Sequence, residues 1–150
     1  KEMARVLKPR RIEGIEPSPP AFKRMKMPKA KLHQEDLVTW ARNPARARWA
    51  FDLGLCTSVL QYLSDKELKE VLPIMASRCR YIYLTVPTDI EYKRQQSELQ
   101  FSDSWARVRT REQYQKLIRP HFTFISSRIL ESKVFYDDTT TEFQDLLFRY

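Results

Sequence analysis

At 150 residues, with 42% hydrophobic and 31% charged side chains, the chain is long enough for one domain with a real core and unlike a disordered or collagenous sequence. No apolar run approaches the ~20 residues that span a bilayer, and no signal-peptide pattern opens the sequence. The net charge of +8 is confined to residues 1–50, where 13 Lys and Arg face five acidic residues, while residues 51–150 balance at 14 of each.

Two cysteines, Cys56 and Cys79, are too few for a disulfide scaffold, so a soluble, cytoplasmic chain with reduced thiols is expected. The basic first third lacks interleaved stacking aromatics and any nucleic-acid motif. It therefore reads as a solvated face rather than a nucleic-acid surface.

In chain order, Lys1 to Leu7 has the spacing of the last turns of an amphipathic helix, ended by Pro9. Ile12 to Ile15 is a short strand with Glu16 at its carboxyl end. Ser18 caps a short basic helix from Pro19 to about Met27. Lys31 to Gln34 forms a brief strand that leads to Glu35 and Asp36. A helix from Leu37 to Trp49, interrupted by Pro44, follows with Trp40 and Trp49 facing inward.

Phe51 to Cys56 is a buried strand running through a short polar turn toward Ser64, which with Glu67 forms a capping box. Leu68, Val71, Leu72 and Met75 mark the buried face of the next helix, kinked at Pro73. Arg80 to Val86 is a strand stopped by Pro87. Residues Thr88 to Arg109 lack a clean period and read as a long loop, a substrate-side insertion or lid. Thr110 caps a helix to about Ile118. Phe122 to Ser132 and Glu142 to Arg149 read as two strands around a turn at Asp137-Asp138.

Alternating helices and strands predict an α/β fold: a Rossmann-like, mostly parallel sheet with helices on both faces and an antiparallel strand pair at the carboxyl end. Ligands bind such sheets at the carboxyl edge of the strands. The turn after Phe51–Cys56 is the expected floor of a site.

Ile12-Glu-Gly-Ile-Glu-Pro-Ser-Pro, His33-Gln-Glu-Asp-Leu and Phe51-Asp-Leu-Gly-Leu-Cys-Thr-Ser-Val-Leu-Gln-Tyr-Leu-Ser-Asp together resemble the class I S-adenosylmethionine-dependent methyltransferases. They look like that family's second, third and fourth strands with the segments that follow them. The resemblance implies one methyltransferase-like domain over the whole chain, with S-adenosylmethionine as cofactor. Glu16 would accept hydrogen bonds from both ribose hydroxyls, because a carboxylate satisfies two vicinal hydroxyls at once. Asp36 would meet the adenine amino group, with Leu37 offering its amide and an apolar contact, although Glu35 stands where the family often has glycine. Cys56, Thr57 and Ser58 would lie beside the methionine end, and Tyr62 would face the substrate. Tyr92 and Trp105 are further candidate walls of the substrate pocket.

The family's first strand and its glycine-rich turn are absent, for the chain has only Gly14 and Gly54 and no Gly-x-Gly. In the family's sheet that strand is central, flanked by the second and fourth. The expectation is an N-terminally incomplete domain whose central strand comes from a preceding segment or from another chain.

The function implied is methyl transfer to an unidentified acceptor, a small molecule by preference. The Asn-Pro-Pro-Tyr signature of nucleobase amino methylation is missing. The alternatives are a non-catalytic methyltransferase-like binding or structural module, and an RNA or DNA methyltransferase using the basic first third. No catalytic base is assigned, since methyl transfer can rest on positioning. His33 and His121 lack metal-ligand spacing, so no metal site is expected. Cys56, alone in a strand, reads as core packing, and Asp36 reads equally as a helix N-cap.

Overall fold

The computed structural model describes residues 2–45, 50–144 and 149–150. The chain divides into two compact units, Lys1–Arg46 and Ala47–Tyr150.

The first unit contains α1 (Glu2–Leu7), β1 (Ile12–Ile15), α2 (Pro19–Arg24), β2 (Ala30–His33) and α3 (Leu37–Arg42). Strands β1 and β2 pair in parallel, from Ile12 opposite Ala30 to Ile15 opposite His33. Ser18 caps α2 by accepting from the Ala21 amide, with Pro19 in the first turn. The helix stops at Arg24 rather than Met27: Met25 is already extended, with its amide closing a tight last turn onto the Phe22 carbonyl at 3.0 Å. α3 ends at Arg42 with Asn43 extended, and the Asn43 side chain accepts from the Ala45 amide, which competes with continued helix. Trp40 is buried as the sequence predicts, while Trp49 lies outside the described residues.

The second unit contains β3 (Phe51–Thr57), a 3₁₀ turn (Leu60–Tyr62), α4 (Asp65–Arg78), β4 (Cys79–Thr85), α5 (Asp89–Leu99), α6 (Arg111–Ile118), β5 (Phe122–Phe124) and β6 (Ile129–Ser132). Its sheet has the order β3-β4-β6-β5, with β3 parallel to β4 and β6 antiparallel to both β4 and β5. The architecture is thus α/β with a parallel two-stranded sheet and a mixed four-stranded one, not a single continuous sheet.

α4 begins with the capping box the sequence predicts: Ser64 Oγ accepts from the Glu67 amide, and the Glu67 carboxylate accepts from the Ser64 amide. Leu68, Val71, Leu72, Met75 and Ala76 of α4 are buried, as are Ile82 and Leu84 of β4, Leu130 of β6, and Tyr114 and Ile118 of α6. This is the core, and α4 packs on both β4 and α6. Pro73 sits within α4 without ending it. Gly54 is required by close approach, since a Cβ there would meet Cys79 Sγ at 2.8 Å. Among the described residues β3 is an edge strand, and the expectation of a buried strand fails there: only Cys56 of β3 is buried, while Leu53 and Leu55 are exposed, because no further strand or helix is described against that edge.

The carboxyl-terminal part departs from expectation in three places. Residues 89–99 are helix α5, not loop; none of its residues is buried, so no apolar stripe marks it, and Asp89 and Glu91 in its first turn and an Arg94–Glu98 pair at 3.0 Å support it instead. The strand expected over 122–132 is broken into the β5–β6 hairpin. Ser126 Oγ accepts from the Arg128 and Ile129 amides and reverses the chain there.

The predicted turn at Asp137-Asp138 is present: Asp137 Oδ1 accepts from the Thr139 and Thr140 amides and hydroxyls, which hold its carboxyl down at about 2. No strand follows at residues 142–144, and residues 145–148 lie outside the described set. Tyr150 nonetheless exchanges both backbone hydrogen bonds with Phe124, at 3.0 and 3.1 Å, and stacks on its ring. A buried cluster anchors this segment: Glu131, 1% exposed, accepts from Thr141 Oγ1 at 2.9 Å and from Arg149 Nη1 at 3.0 Å.

Candidate functional site

Two sets of residues follow the carboxyl ends of parallel strands. In the first unit, Glu16 leaves β1 with its amide donating to the His33 carbonyl at 3.1 Å, which ties the ends of β1 and β2 together. Its half-buried carboxylate accepts through Oε1 from the Ser18 amide at 2.9 Å, bracing the turn into α2. Asp36 is the N-cap of α3, accepting from the Thr39 amide at 2.9 Å and the Thr39 hydroxyl at 2.8 Å. Partial burial pushes its pKa up, but the hydrogen bonds from Thr39 and from nearby backbone outweigh this and hold the carboxyl below its ordinary value. Leu37 is the half-buried first residue of that helix.

In the second unit, Cys56 is buried in β3, and burial, helped by nearby Cys79, pushes its thiol up to about 12. A thiol so placed is a packing group and not a nucleophile. Thr57, exposed, closes β3 opposite Thr85 of β4. Ser58 then takes a left-handed backbone (φ 53°), and its amide donates to the Thr85 carbonyl at 2.8 Å. A non-glycine residue held there costs roughly 1–2 kcal/mol, so the surrounding bonds must over-determine the turn.

Beyond that turn the structure gathers three aromatic residues singled out from the sequence around one that was not. Tyr62 Oη donates to Asp103 Oδ2 at 2.7 Å. Tyr92 of α5 donates through Oη to the Asp103 carbonyl at 2.7 Å and accepts from the Asp103 amide at 3.1 Å. The Trp105 amide donates to Asp103 Oδ1 at 3.1 Å, and the residue as a whole is 82% exposed. The bond to Asp103 raises the Tyr62 pKa, with burial and the Asp103 charge adding to it.

The segment bearing Asp103 is stapled at its far end. The Arg107 amide donates to the Gln61 carbonyl at 2.8 Å and the Asp89 amide to the Arg109 carbonyl at 2.9 Å. Arg109, 6% exposed, donates from Nη2 to the Leu63 carbonyl at 2.7 Å and from Nε to Asp65 at 2.9 Å, and lies over the Tyr114 ring. Asp103 and Arg109 were missed because their partners lie 41 and 46 residues away in sequence, and no local pattern encodes such a bond. The one available signal was Asp103 flanked by serines between Phe101 and Trp105, a turn composition amid exposed aromatics.

Glu16, Asp36 and Leu37 belong to the first unit, and Cys56 to Ser58, Tyr62, Tyr92 and Trp105 to the second. Among the described residues no group of three His, Cys, Asp or Glu is placed to hold a metal ion, and no helix is long and apolar enough to cross a membrane. Compared with known proteins, no protein-family model matches the chain, and no curated protein matches it significantly.

Proposed function

We propose that the chain is part of an S-adenosylmethionine-dependent methyltransferase acting on a small-molecule acceptor, with the acceptor held at the Tyr62–Asp103–Tyr92 cluster. The observation that carries the reading is the polar pair Tyr62–Asp103, set just past the strained turn that closes the carboxyl ends of β3 and β4. Ligands of α/β sheets bind at such an edge. Trp105, tied to Asp103 through its backbone amide, is an exposed aromatic on the same segment. With the Tyr62 O–H given to Asp103, the phenol oxygen and the remaining carboxylate lone pairs offer acceptors to an N–H or O–H of a polar substrate.

The residues present fit the nucleoside half of the cofactor. Glu16 has one carboxylate oxygen on Ser18 and keeps acceptor capacity for ribose hydroxyls, and Leu37 is the first residue of a helix, where backbone N–H groups lack intrahelical partners. Asp36 fits less well, since both its oxygens accept from Thr39. The methionine half has no cradle in this sequence, for there is no Gly-x-Gly. The reading requires a glycine-rich strand beside β3, whose outer edge is unpaired among the described residues. When bound, the cofactor supplies an activated methyl group. Tyr62 and Asp103 orient the acceptor's attacking atom, and Asp103 takes up its proton where one must leave.

Titration of the intact protein, expressed from its full natural reading frame, with S-adenosylmethionine tests this. Saturable binding that falls about tenfold in Glu16→Gln, which keeps the bond to Ser18, is expected. No binding by the folded protein refutes the reading and favours a non-catalytic methyltransferase-like module, which the missing glycine turn also suits.

A further inference from the structure

We infer that the groove between the starts of α4 and α6 is a binding site for the phosphate or carboxylate group of a small ligand. The groove, about 490 Å³ and open to solvent, is lined by Asp65, Arg107, Val108, Arg109 and Gln113. It does not rest on the methyl-transfer reading and involves none of the residues assigned to cofactor or acceptor.

Three observations converge on an anion. Arg107 is exposed, and its side chain makes no hydrogen bond or ion pair among the described residues. Its backbone, by contrast, is pinned to Gln61, so the guanidinium projects from a fixed point. Arg109 forms the floor; it is more than nine-tenths buried, and its Nη1 has no hydrogen-bond partner. A buried cation exerts its field with little screening from water. The carboxylate facing it, on Asp65, is 68% exposed and so well solvated. The eight-residue helix α6 also starts here, adding the positive end of its dipole.

The cap of α6 leaves a donor available. Gln113 turns its Oε1 toward the Thr110 amide at 2.8 Å, so its Nε2 is free to face an oxyanion. An oxyanion in the groove would take Arg107 and Gln113 Nε2 as direct partners over the Arg109 charge. A doubly charged phosphate should bind more tightly than a carboxylate.

The test is titration of the ¹⁵N-labelled protein with inorganic phosphate, and separately with acetate, at constant low ionic strength, followed by NMR of backbone amides and arginine Nε–H groups. Saturable shifts confined to residues 107–113 and the Arg109 Nε–H are expected, with phosphate stronger than acetate. Arg107→Ala, an exposed change that leaves the fold intact, should weaken phosphate about tenfold. Asp65→Asn, which removes the one acidic lining group, should tighten it. Acetate binding equal to or tighter than phosphate would overturn the dianion assignment. Non-saturating shifts spread over all basic residues, or an unchanged affinity in Arg107→Ala, would overturn the site.

Discussion

Replacing Arg109 with alanine should loosen the segment that carries Asp103, and the structure sets the size of the effect. The guanidinium bond to the Leu63 carbonyl, 2.7 Å and buried, is charge-assisted; losing it and leaving the carbonyl unpaired costs about 1.5–3 kcal/mol. The Asp65 pair adds only about 0–1 kcal/mol, because that carboxylate is 68% exposed and screened by water. The contact with the Tyr114 ring, 5.5 Å from the guanidinium to the centroid, adds about 0.5–1 kcal/mol. Release from burying the guanidinium offsets part of this, so a net loss of about 2–4 kcal/mol is expected. Urea denaturation of the wild type, Arg109→Ala, Asp65→Ala and the double variant measures it. The cycle should show a coupling of less than about 1 kcal/mol between the two sites, with most of the Arg109 loss surviving in the Asp65→Ala background. Hydrogen exchange at residues 101–109 should quicken in parallel. A loss under about 0.5 kcal/mol, or a coupling that accounts for the whole loss, would refute the assignment of the Leu63 bond as the main anchor.

The Tyr62 phenol, raised above its ordinary 10.0 chiefly by its bond to Asp103, should ionise late in an ultraviolet titration, and Asp103→Asn should bring it down. The stabilisation linked to this shift is fully present below pH 10.0 and is lost as pH climbs through the raised folded value; a Tyr62 that titrates at 10.0 in the native protein contradicts the geometry. Burial raises Cys56 to about 12 and Cys79 to about 11, so at pH 8 both are almost wholly thiols and should resist aromatic disulfide reagents until the protein unfolds. Rapid labelling of the native chain would count against their placement. Gly54→Ala puts a Cβ 2.8 Å from Cys79 Sγ and should cost about 1–3 kcal/mol, most of it recovered in Gly54→Ala with Cys79→Ala; an uncorrected loss in the double variant would locate the strain elsewhere.

Where the signal is local, the sequence is a sufficient guide. The Ser64–Glu67 and Thr110 helix starts, the Asp36 cap, the strand through Phe51 to Cys56 and the inward face of α4 all arise from residues within a turn of one another, and they appear where the pattern puts them. α5 escaped detection because a helix with no buried residue needs no apolar stripe, and its support comes from charges. The break at Ser126 is a contest between a hydroxyl and a ladder that β-propensity does not register. The polar heart of the candidate site was half legible. Aromatic residues near a strand's end attract notice, whereas Asp103 gains its meaning only from partners brought in by folding.

The mixed pairing of β4 also orders events in time. β5 and β6 are joined by a tight reversal and can zip on the microsecond scale of isolated hairpins. β3 and β4 must wait for α4 to form between them, and β4 meets β6 only after the chain from α5 through α6 has been gathered in. Loop closure of that length slows the step, which makes the β4–β6 seam the expected last ladder to set. In pulse-labelled exchange during refolding, the amides of Ile82 and Leu84, which face β6, should become protected after those of the hairpin, and α4 should gain protection before either seam is complete.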